Sequence, residues 1–239
     1  NLVALPHKQR DSRATFIEEK VASGVGSHED EIDTKHWAVE SIQEQINTPI
    51  CIDSADPKVM ETGLKIQNNK PAMINSVKAE KSNLEALVPL AAEHDSFLIA
   101  LAMDESGIPT TVDGRLRCCD TILGACERHG VSIQNLYIDP LVMPVSTDIN
   151  SGMVTLRTLT AIKEKFPGAK TVTGLSNVSY GLPERSRLNV AYLHMCIFAG
   201  LDAAIIDPLD KTLMDAVKTG EVLAGKDRHC RRYMRSFRK

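Results

Sequence analysis

Aromatic side chains make up only 4% of the 239-residue chain, so its core has to be built from Leu, Ile, Val, Ala and Met. Basic charge is not in excess either. A formal net charge of −3 supplies no positive field, which argues against nucleic acid as the main partner, because phosphate contacts need clustered Lys and Arg. The one basic cluster, Arg228, Arg231, Arg232, Arg235, Arg238 and Lys239, reads as a solvated helix face or tail. No apolar run is long enough to cross a membrane, and no charged-then-apolar leader opens the sequence. The cysteines at positions 51, 118, 119, 126, 196 and 230 form no CxxC pair and no Cys/His ligand spacing. They read as small buried hydrophobes, and free thiols in a chain without a leader point to the reducing cytoplasm.

What the sequence does have is alternation. Short apolar runs alternate with amphipathic stretches. Strands are expected at Pro49–Asp53, Ala72–Asn75, Phe97–Ala102, Leu136–Asp139, Thr171–Leu175 and Ala203–Asp207. Helices are expected near Lys58–Gln67, Asn83–Glu93, Gly114–His129, Met153–Lys165, Ser186–Ala199 and Thr212–Ala224. Two more, Ala14–Ala22 and Thr34–Ile46, are expected to join through residues 23–27 with no strand between them. Strand and helix in turn, with short connections and no Gly/Ser/Pro-rich linker, describe a parallel sheet in a single domain over residues 1–239. A (β/α)8 barrel would need eight such units, so the first two strands are poorly represented; an open doubly wound sheet is the alternative.

The informative pattern lies in what ends the strands. Cys51-Ile52 runs into Asp53-Ser54, Met73-Ile74 into Asn75-Ser76, Tyr137-Ile138 into Asp139-Pro140, Gly174-Leu175 into Ser176-Asn177, and Ile205-Ile206 into Asp207-Pro208. In a parallel barrel all of these fall at the C-terminal face, where such enzymes place their sites. Any one of them reads equally well as a helix cap, as do Ser54, Ser76 and Asp56. Together, Asp53, Asn75, Asp139 and Asn177 suit a flat, amide-like heterocycle. A carboxylate accepts from a ring N–H and an exocyclic amine, whereas a carboxamide donates and accepts at once.

These motifs, in this order and with Gly200-Leu201-Asp202-Ala203-Ala204-Ile205 following, closely resemble the methyltetrahydrofolate:corrinoid methyltransferases of the pterin-binding family. The match runs from roughly Gly26 to the C-terminus. The resemblance implies a TIM-type barrel in which Asp53, Asn75 and Asp139 hold the pyrimidine edge of the pterin. It places Asn177 at the methyl-bearing nitrogen of the folate, with Gly174 and Ser176 close to the ring. Met103 and Asp104 would be further pocket residues, and Arg185 would meet the folate tail. Methyltetrahydrofolate or tetrahydrofolate would be the substrate, and the corrinoid would arrive on a partner protein. A homodimer through barrel helices, with Leu193 and Ile197 in the patch, is implied as well.

Methyl transfer from a tertiary amine needs a hydrogen bond or proton at the leaving nitrogen and a strong nucleophile, which the family takes from reduced cobalt. The seven histidines of this chain include no Asp-x-His-x-x-Gly arrangement that would hold a corrinoid. Dihydropteroate synthase is one rival reading. Departing pyrophosphate would want Lys, Arg or His at the late strand ends, where this chain has Asp207 and Asp210. A non-catalytic folate-binding module is another. A metal hydrolase built on His28-Glu29-Asp30-Glu31 is weaker, because carboxylates at a helix start are explained by its dipole.

Overall fold

The computed structural model describes residues 4–20, 28–67 and 71–238. Six strands, β1 (Ile17–Lys20), β2 (Ile50–Asp53), β3 (Met73–Lys78), β4 (Phe97–Leu101), β5 (Leu136–Asp139) and β6 (Lys170–Thr171), pair in chain order. Every neighbouring pair is parallel. Helices α1 (Ala4–Asp11), α2 (His28–Gln43), α3 (Pro57–Ile66), α4 (Lys81–Glu93), α5 (Val112–Arg128), α6 (Ser151–Lys165), α7 (Arg185–Ala199), α8 (Lys211–Leu223) and α9 (Arg231–Ser236) complete the plan. It is the (β/α) barrel architecture expected from the alternation.

Three expectations need correction. Ala14–Ala22 is not helical: within its described part, Ile17–Lys20 is strand β1, laid beside β2 with Lys20 opposite Asp53. Its charged run conceals a two-residue period. Ile17 and Glu19 are buried, and the Glu19 carboxylate accepts from the fully buried Lys35 of α2 at 2.7 Å. Ala203–Asp207 is not a ladder strand either. It runs extended beside β6 through Ala203 N–H to the Thr171 carbonyl and Ile205 N–H to the Thr173 carbonyl, both 2.9 Å, with Gly174 bridging Ile205. Nor is Thr171–Leu175 a strand throughout: β6 stops at Thr171, and the chain turns into a 3-10 segment at Leu175–Ser179. Residues 23–27 lie outside the described residues.

Burial follows the two-residue period of the strands. Ile50, Ile52, Ile74, Leu98, Ala100, Leu136 and Ile138 face the helices, where they meet Val39, Met60, Leu64, Leu87, Ile122 and Ile162. Each Ile, Leu, Val or Met side chain among them contributes roughly 1.5–3 kcal/mol by leaving water. The alternate residues Cys51, Met73, Ile99, Tyr137 and Val172 fill the barrel. The scarce aromatics plug its lower end: Phe16, Phe97 and Tyr137 stack edge-on at 5.6 and 5.9 Å, with the Lys170 amine over the Tyr137 ring. Five of the six cysteines are buried as expected; Cys230 is exposed. Leu193 and Ile197 are also buried, in the core shared by α6, α7 and α8, so they cannot supply a surface patch. The exposed large apolar residues of α7 are Leu188, Met195 and Phe198.

Candidate active site

Asp53, Asn75 and Asp139 continue the inward register. Each lies two residues beyond a barrel-filling side chain, Cys51, Met73 or Tyr137, and so crowns the interior at the strand ends. Helix capping, the competing explanation, does not account for them. The cap of α3 is Asp56, which accepts from the Lys58 and Val59 N–H groups at 2.8 and 3.2 Å.

On the β1–β3 side the site is knit by side chains. The Lys20 amine donates to Asp53 Oδ2 at 2.9 Å, and Asn75 Nδ2 donates to Glu18 Oε1 at 2.8 Å. Glu18 and Lys20 share the inward register because Glu18 pairs with Cys51 and Lys20 with Asp53. Burial, and then the nearby Asp53 carboxylate, push the Glu18 carboxyl above its ordinary range. Beneath them, Lys35 donates to the Asp53 carbonyl at 3.1 Å and thereby ties α2 to both strands.

On the β5–β6 side the backbone does the holding. Asp139 is buried, and its Oδ1 accepts from the Leu141 N–H at 2.7 Å. Burial pushes its carboxyl up to about 6, against the pull of the Leu141 and Gly174 N–H groups and the nearby Arg115 charge. The Thr173 hydroxyl faces the same carboxylate without closing a full hydrogen bond. Asn177 lies exposed on the 3-10 segment, with its amide nitrogen near Gly174, at ordinary contact distance (3.6 Å) from where a Cβ there would sit. Gly174 lies near both Asp139 and Asn177. Ser176 is exposed beside it, and its carbonyl accepts from Arg185 at 2.7 Å while the Ser179 hydroxyl accepts from the same guanidinium at 3.1 Å. Arg185 thus braces the Asn177 segment.

Asp104 is bonded outside this group. The Met103 carbonyl accepts from the Ala79 N–H, while Asp104 accepts from the backbone and hydroxyl of Ser106 at 2.9 and 2.5 Å, bonds that lower its pKa. Asp104 instead lines a separate cavity of about 500 Å³ with Ser106, Thr111, Arg117 and Cys118. Glu18, Lys20 and Arg115 were not foreseen. For the first two the available signal was Phe16-Ile17, a short apolar pair opening a strand whose remainder is charged.

A lumen closed below by aromatics and crowned by carboxylates and carboxamides defines a site for a flat, hydrogen-bonding heterocycle, and the chain belongs to the pterin binding enzyme family, whose pattern matches residues 19–207. That span contains Asp53, Asn75, Asp139, Gly174, Ser176, Asn177 and Arg185, and Glu18 lies one residue before it. The chain is 33% identical over 232 residues to the methylcorrinoid:tetrahydrofolate methyltransferase of Eubacterium limosum, covering 96% of this chain and 84% of that protein. It is 32% identical over 170 residues to the methionine synthase of Mycobacterium tuberculosis, covering 66% of this chain and 14% of that protein. Among solved structures, Yersinia pestis dihydropteroate synthase superposes with a TM-score of 0.71 at 16% identity, covering 92% of this chain and 83% of that one. The 7,8-dihydropteroate synthase from Vibrio fischeri gives 0.69 at 20%, covering 92% and 86%. At these identities the likeness to the synthases is one of fold.

Proposed function

We propose that this protein is a methyltransferase moving a methyl group between the 5-nitrogen of methyltetrahydrofolate and the cobalt of a corrinoid on a separate protein. The observation that carries the reading is the junction of Asp139, Gly174 and Asn177 at the barrel mouth, in a chain one-third identical to a methylcorrinoid:tetrahydrofolate methyltransferase over nearly its full length. In this reading Asp53, Asn75 and Asp139 hold the pyrimidine edge, with Asp139 accepting from a ring N–H and the exocyclic amine. Asn177 faces the 5-nitrogen. Its carboxamide is neutral and two-sided: the carbonyl accepts from an N–H there, and the amino group donates to a nitrogen losing its methyl. One residue therefore serves both directions of transfer. The corrinoid's cobalt supplies or receives the methyl group when its carrier docks, and exposed Ser176, Asn177 and Tyr180 leave that face accessible to a second protein.

The dihydropteroate synthase alternative has less support. Asp207 and Asp210, at the rim where pyrophosphate would leave, are engaged in capping: Asp207 accepts from the Leu209 N–H, and Asp210 caps α8. The deciding experiment mixes the protein with tetrahydrofolate and a methylated corrinoid protein and follows the cobalt spectrum. No spectral change in either direction, with folate bound, would favour the module reading.

Assembly and location complete the reading. The exposed stripe Leu188, Met195 and Phe198 on α7 forms a homodimer contact in place of the buried Leu193 and Ile197. Phe198→Glu should yield monomers in sedimentation, and a wild-type monomer at micromolar concentration would sink the idea. Among the described residues no helix is long and apolar enough to cross a membrane. Free thiols fit a cytoplasmic protein.

A further inference from the structure

Arg115, on α5, is 2% exposed, yet none of the ion pairs among the described residues includes it. Its guanidinium is spent on neutral acceptors. Nε donates to the Pro109 carbonyl at 3.0 Å, and Nη1 donates to the Pro140 carbonyl at 2.7 Å, the Leu141 carbonyl at 2.9 Å and the Thr155 hydroxyl at 3.1 Å. Thr155 in turn donates to the Leu141 carbonyl at 2.9 Å. Burying a charge without a bonded counter-ion is costly, and what offsets the cost here is the set of backbone carbonyls that would be left unpaired without the guanidinium. What Arg115 secures is a turn. Leu141 is held at φ 66, a left-handed conformation that a branched side chain adopts rarely and at a cost. In that conformation its carbonyl points to the guanidinium and its N–H to Asp139.

We infer that Arg115 is a positioning residue of the pterin site: from α5 it fixes the Pro140–Leu141 turn, so that the Leu141 N–H and the guanidinium charge together hold the Asp139 carboxylate in place. The role of Asp139 in binding rests on the folate reading; its dependence on Arg115 does not. The groups facing the pair are few. Arg115 comes from α5, and Thr155 from α6 is neutral. Tyr192 from α7 lies near Arg115, with its phenol pushed up by burial, and beyond β6 there are the Thr173 hydroxyl and the Gly174 N–H. Of these, Arg115 brings the positive charge. Two separable effects follow: a dipole aimed at Oδ1 and a nearby charge, each favouring the ionised form.

The test titrates Asp139 directly. The carboxyl carbons of ligand-free protein are followed by NMR against pH, with Asp139 assigned from Asp139→Asn. Arg115→Met should move the Asp139 midpoint up by about one unit or more, while Arg115→Lys, which keeps the charge, should stay nearer to wild type. An unchanged midpoint in Arg115→Met overturns the inference. If neither arginine variant folds, Thr155→Val decides: a smaller upward shift supports the role, and a wild-type midpoint refutes it. Tetrahydrofolate titration in parallel separates the two claims. A protein whose Asp139 responds to Arg115 but which binds no folate counts against the folate reading alone.

Discussion

The two halves of the barrel mouth solve one problem in opposite ways. At the β1–β3 rim, Asp53 and Asn75 are matched by Lys20 and Glu18, side chain to side chain, with the Lys20 side chain 64% exposed. At the β5–β6 rim, Asp139 is buried and held by peptide N–H groups, with a buried arginine behind the turn. Exposed pairs sit in high dielectric, where water competes for every contact. A buried carboxylate in fixed dipoles keeps its aim but resists carrying its charge. The comparison teaches where recognition strength should reside: in the β5–β6 half, with the other half tuning it.

The largest effect on the rate should fall at Asn177, the outermost member of that half. Its contact strengthens as the methyl group leaves, so it matters to the rate more than to ground-state binding. Asn177→Ala should slow single-turnover methyl transfer by about 10²-fold, the scale of one preorganised donor, with a smaller loss of folate affinity. Transfer at the wild-type rate would remove the residue from the chemistry.

Asp139 comes next, and its two effects have opposite signs. Asp139→Asn should weaken tetrahydrofolate binding in calorimetry by roughly 2–4 kcal/mol, because a charged acceptor is lost where the ligand's donors remain. It should also stabilise the fold at neutral pH. An acid whose pKa is higher folded than unfolded holds its proton more tightly in the fold, so stability declines as pH climbs from the ordinary 3.8 to about 6 and stays low above that. Removing the titration should recover on the order of 1–3 kcal/mol, less whatever Arg115 loses when its neighbour turns neutral. Denaturation curves of both proteins should converge near pH 4 and separate above pH 6 or so; parallel curves would mean that Asp139 is not desolvated as its burial indicates.

How much of this was legible in the sequence tracks the same contrast. Asp53, Asn75 and Asp139 stood out because each ends an apolar run, and a polar residue after a buried strand is a strong local signal. β1 did not, because Glu18-Glu19-Lys20 looks like a charged helix face; only the distant Lys35 makes Glu19 a core residue. Arg115 was hidden for a similar reason. An arginine on an amphipathic helix reads as solvated unless the loops that bury it are known. Ala203–Asp207 was over-read: apolar content alone suggested a strand, whereas its backbone pairs at alternate residues without forming a ladder. Asp104 lies three residues past the end of β4, where Leu101 is the residue level with Asp139, and its carboxylate is drawn off to Ser106.

The smallest effect should come from the exposed half. The Lys20 amine lies 2.9 Å from Asp53, and that bond raises the lysine's pKa. A lysine with a raised folded pKa adds stability at all pH values below its ordinary 10.5 and loses it as pH rises through the higher folded value. The gain is nevertheless small, because a flexible, largely solvated ammonium is screened by water and salt. Exposed pairs of this kind contribute about 0–1 kcal/mol. Lys20→Met should therefore lower stability by less than about 1 kcal/mol, and added salt should erase the difference as the screening length shrinks. The stability gain of Asp139→Asn should survive the same salt, since its origin is desolvation. A salt-resistant loss of about 2 kcal/mol or more in Lys20→Met, twice the exposed-pair ceiling, would show that the β1–β3 rim is as structurally committed as its opposite, and the division between an aiming half and a tuning half would fall.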